Sequence, residues 1–178
     1  MWSAMAPVRI GTGWGVAYLG HNRRAIMLDG QPRMFWRDET LLPSSPVDPT
    51  VGVIRLDRRD GTPLAILVNY ACHPVVLGPD NLSYSADYPG VMRDTIEDSL
   101  KGSTAFFLQG APGDINPYYD KTPLMQDAVV RMQETGRKLG TEALRVARSI
   151  RTEVAPAPSI QSKTVVLHAT QVEFEQGD

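Results

Sequence analysis

Leu64-Ala65-Ile66-Leu67-Val68-Asn69-Tyr70 runs directly into Ala71-Cys72-His73-Pro74, and the passage from an apolar run to a histidine and a proline sets the reading of the chain. A run apolar on both faces describes an interior strand, and Pro74 biases His73 toward extended geometry, so the histidine stands at a strand exit. Upstream, Val51-Gly52-Val53-Ile54-Arg55-Leu56-Asp57 alternates more clearly, and the Asp60-Gly61 step between the two runs predicts a hairpin. Downstream, Asp87-Tyr88-Pro89-Gly90 opens a helix in which Asp87 caps the free amides and Pro89 suits the first turn. Met92, Ile96 and Leu100 form its apolar stripe, and Thr104 to Gln109 follows as a short buried strand. Strand, helix and strand make a βαβ unit with parallel pairing and a right-handed crossover. The expected fold is therefore α/β, a mixed sheet with a βαβ unit and covering helices.

Outward from this unit the signals weaken. Gly11, Gly13, Gly15 and Gly20 lack the spacing and following helix of a phosphate-binding loop, and predict close backbone approach or irregular loop. His21-Asn22-Arg23-Arg24 reads as an exposed charged turn. From Asp29 to Pro49, with Pro32, Pro43, Pro46 and Pro49, the chain is expected to form a long loop, with Phe35 and Trp36 giving it something to pack. It could cover a site. A second helix from about Leu124 to Ile150 carries Val129, Met132, Gly136, Leu139, Ala143, Val146 and Ile150 at three- and four-residue steps. Its small Gly136 and Ala143 allow a close neighbour. Ala155-Pro156-Ala157-Pro158 ends it, and Ile160 to Phe174 alternates as a closing strand.

A chain of 178 residues suits one globular domain or part of a larger one. With 18 basic and 20 acidic residues the net charge is -2, which leaves no electrostatic footprint for nucleic acid and no polybasic surface for anionic membranes. The single cysteine, Cys72, excludes an intrachain disulfide and a Cys-rich zinc site. No signal peptide is visible at Met1 to Ile10 and no apolar run approaches membrane-spanning length.

Two loops at strand ends are the candidate site, because ligands of open α/β sheets gather there. One carries His73, suited to metal ligation or general-base work, with a histidine satisfied by a loop carbonyl as the bland alternative. Cys72 beside it makes no dyad, since neighbours in an extended segment point to opposite faces. The other is Gly113-Asp114-Ile115-Asn116-Pro117, either a plain Gly/Asn/Pro turn or a loop whose amides and Asn116 side chain line a site. Nucleophile elbow, Walker loop and His-Glu-x-x-His helix are all missing.

Taken together, Asn22-Arg23-Arg24, Val47-Asp48-Pro49 before Val51-Gly52-Val53, Asn69 to Pro74, Ser85 to Gly90, and Phe107-Leu108-Gln109-Gly110 through Asn116-Pro117 resemble the neutral/alkaline (non-lysosomal) ceramidases and their bacterial relatives. The resemblance covers about Gly11 to Pro117. It implies a zinc-dependent amide hydrolase that cleaves the N-acyl amide of ceramide or a related lipid, in which His73 is a zinc ligand and Arg23 stabilises the developing oxyanion. Zinc in such a family acidifies water and polarises the carbonyl. It further implies a secreted, periplasmic or cell-surface setting and a membrane-surface encounter through the substrate.

The sequence departs from the family pattern at Asn116, where a serine is usual; asparagine can hydrogen-bond substrate but cannot be a nucleophile. The family's His-x-His segment precedes its Asn-Arg step, and its glutamate and tyrosine ligands come later than any residue here. Residues 1–178 are thus expected to be the central part of a larger catalytic domain, weak in zinc binding and inactive alone. A non-catalytic interaction module that keeps the scaffold is the competing reading, as is an amidase acting on a non-lipid substrate.

Overall fold

Four strands form the main sheet: β1 (Arg9–Val16), β5 (Thr50–Asp57), β6 (Pro63–Tyr70) and β7 (Thr104–Gln109), in the order β1-β5-β6-β7. The computed structural model describes residues 5–38, 46–154 and 161–166. β1 and β6 flank β5 antiparallel, and β7 joins β6 in parallel after α1 (Asp87–Ser99). The hairpin and the βαβ unit read from the sequence are both present, and the sheet is mixed. Short strands β2 (Gly20–Asn22) and β8 (Ile115–Pro117) pair antiparallel, as do β3 (Arg24–Ile26) and β4 (Pro32–Met34). The second helix, α2 (Ala128–Ser149), begins a turn later than its apolar periodicity suggests.

One sheet face supplies the core. Val51, Val53, Ile66, Val68 and Ala105 pack with Met92 and Ile96 of α1 and Leu139, Ala143 and Val146 of α2. Each larger apolar side chain so buried contributes about 1.5–3 kcal/mol relative to exposure. The glycine-rich start is a strand here, not an irregular loop. Gly11, Gly13 and Gly15 alternate along β1 on the face toward α2, where a Cβ would lie 2.5 Å from Ile150, 2.9 Å from Val146 and 2.2 Å from Glu142 respectively. Close approach, rather than turn chemistry, explains them. The same holds for Gly136, whose Cβ would meet Val91 at 2.5 Å, so α1 is the close neighbour expected of α2.

Other expectations are corrected. β7 is an edge strand with Phe106 and Leu108 exposed, because the helices cover only the opposite face. Residues 29–49 are not loop throughout, since β4 falls within them. Asp87 lies inside the first turn of α1, after the N-cap position at Ala86, with a positive φ of 50°; its carboxylate accepts from the free amide of Tyr88 at 2.7 Å and from the amides of Val76 and Leu77 at 3.2 and 2.9 Å. It thus fastens the loop after His73 to the helix start as well. Of the expected closing strand, residues 161–166 carry no strand and the rest lies outside the described residues, as do Pro43 and Ala155 to Pro158.

Candidate active site

The exit of β6 is held from three sides. The Tyr88 hydroxyl of α1 donates to the Cys72 carbonyl at 2.6 Å. Gln109, at the end of β7, donates to the Tyr70 and Cys72 carbonyls at 3.3 and 3.2 Å. The Tyr70 hydroxyl donates to the Ala17 carbonyl at 2.7 Å, which links β6 to the segment entering β2. Satisfying buried carbonyls in this way fixes the backbone that presents His73.

His73 leans on β8. Its backbone amide donates to the Ile115 carbonyl at 3.0 Å, and its Nδ1 lies 2.9 Å from the same oxygen. A carbonyl only accepts, so Nδ1 carries a proton, and in the neutral ring this tautomer leaves the lone pair on Nε2. The ring is half-buried. A histidine oriented by a backbone carbonyl with the other nitrogen free is the arrangement metal-binding histidines use. Cys72, by contrast, is buried, and that burial pushes its thiol well up from the ordinary value, so it is no thiolate.

β8 also organises Arg23 and Asn116. In the β2–β8 register His21 faces Asn116 and Asn22 faces Ile115. Gly20 is the residue that permits this approach, for a Cβ there would sit 2.8 Å from the Asn116 carbonyl oxygen and 2.9 Å from Cys72 Sγ. Asn116 is 1% exposed and its amide is engaged at both ends. Nδ2 donates to Asp120 Oδ2 at 2.6 Å, which orients Oδ1 toward Arg23, whose Nη1 is 3.4 Å away. Arg23 also donates through Nη2 to the Gly113 carbonyl at 3.2 Å, and its guanidinium lies 5.3 Å from the centre of the Trp36 ring. Lys121 approaches the Trp36 ring to 3.8 Å and donates to Asp120 at 3.0 Å. Among the described residues Arg23 has only neutral oxygens and an aromatic face for partners, and its charge is not cancelled by a carboxylate.

The segment His21 to Arg24 is therefore not an exposed turn. His21 and Asn22 are buried, because β2 is covered by the residues that follow β4. His21 Nε2 donates to the Phe35 carbonyl at 2.9 Å and the ring stacks on Tyr118. Among the described residues its Nδ1 is buried without a partner, as is Nε of Arg23. Beside this cluster an open groove of about 700 Å3 is lined by Asn22, Arg24, Ala25, Ile26, Pro32, Pro46 and Asp114.

As a zinc site the arrangement is partial. His73 fits one position, but among the described residues no three His, Cys, Asp or Glu side chains gather where they could hold a metal ion. His168 lies outside the described residues.

Searches against known proteins locate this arrangement of strands and helices. The chain superposes on neutral ceramidase from Pseudomonas aeruginosa with a TM-score of 0.64 over 83% of its length, at 17% identity. The fold is that of part of a neutral ceramidase. A second ceramidase structure, complexed with C2, matches with a TM-score of 0.63 at 17% identity. The chain spans about a quarter of each, 24% of the first and 23% of the second. No family profile matches the sequence, and no curated protein matches it either. Within the ceramidase fold, the residues missed by sequence reasoning are those that hold others in place: Tyr70, Tyr88, Gln109, Asp120, Lys121 and Trp36. Only the Asp120-Lys121 step shortly after Asn116-Pro117 offers a sequence signal, a charged pair following an apolar strand end.

Proposed function

We propose that the chain carries part of the active site of a zinc-dependent amide hydrolase acting on ceramide or a related N-acyl lipid. One observation carries this reading: within a ceramidase fold, His73 and Arg23 are both anchored on the three-residue strand β8, through the Ile115 carbonyl and the Asn116 side chain. Nε2 of His73 is the atom that would hold the metal. When bound, zinc supplies Lewis-acid activation. Arg23 supplies fixed positive charge for the oxygen of the amide as it becomes negative, an interaction that strengthens toward the transition state. Asn116 acts behind Arg23, orienting it, and the apolar groove formed by Ala25, Ile26, Pro32 and Pro46 offers a surface for an acyl chain.

The test is cleavage of ceramide and of short-chain N-acyl amides by the protein at its full natural length. Zinc-dependent hydrolysis is expected, with His73→Ala abolishing it and Arg23→Ala lowering kcat by about 100-fold, the range for loss of one oxyanion-stabilising group. Absence of metal-dependent cleavage of any amide sinks the proposal. That result would favour the non-catalytic scaffold, for which the replacement of the family serine by a buried Asn116 is the structural argument.

A further inference from the structure

Lys121 has a left-handed φ of 48°, a conformation that a residue other than glycine holds where its surroundings enforce it. Here both neighbouring segments of the site do so. Its amide donates at 2.8 Å to the carbonyl of Val75, just past His73, and its own carbonyl accepts from Arg37 Nη2 at 3.1 Å. The side chain reaches Trp36, where the ammonium lies 3.8 Å from the ring centre, and the Arg23 guanidinium lies 5.3 Å from the same centre. Although the ammonium meets Asp120 Oδ2 at 3.0 Å, the Lys121 side chain stays 41% exposed and keeps a face open to a ligand. Arg23 is not neutralised from nearby either: Asp114, whose carbonyl accepts from the Arg23 amide, turns its carboxylate to Asn22 at 2.9 Å.

Two cations thus share one aromatic ring, and they are no further apart than those two ring distances laid end to end. In an N-acyl amino acid the amide oxygen and the carboxylate are about one residue apart, roughly 3.5 Å. With a hydrogen bond of about 2.9 Å at each end, one such molecule reaches both cations. The buried Asp120 carboxylate beside Lys121 opposes a dianion such as a phosphate monoester, which leaves a monoanion as the better fit. Ceramide has no charge to offer there.

We propose that the site acts on N-acyl amino acids, with Arg23 at the amide oxygen and Lys121 at the α-carboxylate beside the scissile bond. Water gives its hydroxyl to the acyl carbon and its hydrogen to the nitrogen as the C–N bond breaks, so the products are a fatty acid and a free amino acid. The acyl chain lies along the groove formed by Ala25, Ile26, Pro32 and Pro46. The inference rests on the hydrolase reading and narrows its substrate to an N-acyl lipid with a negative charge next to the amide.

The experiment compares fatty-acid release from N-dodecanoylglycine, from its neutral counterpart N-dodecanoylglycinamide and from ceramide, using the zinc-loaded protein at its full natural length. The kcat/KM for N-dodecanoylglycine is expected to exceed that for the glycinamide by about tenfold or more, the range for one charge-assisted hydrogen bond. Lys121→Gln and Lys121→Met should each bring that ratio to within about twofold of one, chiefly through KM for the carboxylate substrate, whereas Lys121→Arg should keep the preference. A merely structural role for Lys121 would lower both substrates alike and leave the ratio where it was. That outcome, a wild-type ratio near one, or ceramide cleaved faster than N-dodecanoylglycine overturns the inference and leaves the hydrolase reading standing. The wild-type ratio decides even where a Lys121 variant does not fold. Cleavage of none of the three substrates removes the hydrolase reading, and this inference with it.

Discussion

Asp120→Ala is the sharpest probe of how the site is held. Asp120 is fully buried, at 0% exposure, and accepts from Asn116 Nδ2 at 2.6 Å and from Lys121 Nζ at 3.0 Å. Removing the carboxylate leaves the Asn116 amide hydrogens buried without an acceptor. A hydrogen bond to a charged group contributes about 1.5–3 kcal/mol net, and the cost of the stranded donor is of the same size and overlaps with it. Lys121 can recover water because its side chain is 41% exposed, so its share is at most about 1 kcal/mol. The expected destabilisation is about 2–4 kcal/mol, which at a urea slope near 2 kcal/mol/M moves the unfolding midpoint down by about 1–2 M. A cycle with Asn116→Ala should show a coupling of at least about 1 kcal/mol. A loss below about 0.5 kcal/mol, or additive effects in the cycle, would refute the claim that Asp120 fixes the Asn116 amide.

Gly136→Ala places a Cβ 2.5 Å from Val91 and 2.6 Å from the Tyr88 carbonyl oxygen, so it should destabilise by about 1–3 kcal/mol in urea melts even though alanine is the better helix former. The Glu142 carboxylate is held below its ordinary range by hydrogen bonds from Arg145, with the Val16 amide adding to this. A depressed carboxylate contributes stability that is complete above the unfolded value of about 4.3 and fades as pH falls through the folded one. Glu142→Gln should lower stability at neutral pH and flatten that part of the acid stability curve, so that the two proteins converge at low pH. Cys72 should resist thiol reagents in the native protein and react only on unfolding; rapid native labelling would contradict its burial. Residues 1–178 dialysed with zinc should retain less than one equivalent, and full retention lost in His73→Ala would show a complete site.

What the sequence disclosed was the part of the structure written in local patterns. The run Leu64 to Tyr70, the Asp60-Gly61 turn and the stripe Met92, Ile96 and Leu100 announce themselves, because strand, turn and helix each have a short-range period. β1 was hidden, since its inward positions are the glycines at 11, 13 and 15, and an alternating strand without side chains on its core face carries no hydrophobic alternation to detect. β2 and β8 escaped for another reason: they are three residues long and polar, and gain their burial from partners more than ninety positions away. In the site, His73 and Arg23 were legible as chemically able residues at special places. Trp36 acts only through contacts across the fold, under Arg23 and Lys121, and the charged Asp120-Lys121 step gives no more than a weak sign that its carboxylate is buried against Asn116.

The Ile115 carbonyl receives both the backbone and the ring of His73. Because that acceptor belongs to the main chain, no replacement of the side chain at position 115 can delete it. The imidazole's aim is thus insulated from point substitution at the position that sets it, and sequence drift there should be silent as far as His73 is concerned. An engineer wishing to turn the ring would have to insert or remove a residue between Gly110 and Pro117, changing which carbonyl is presented.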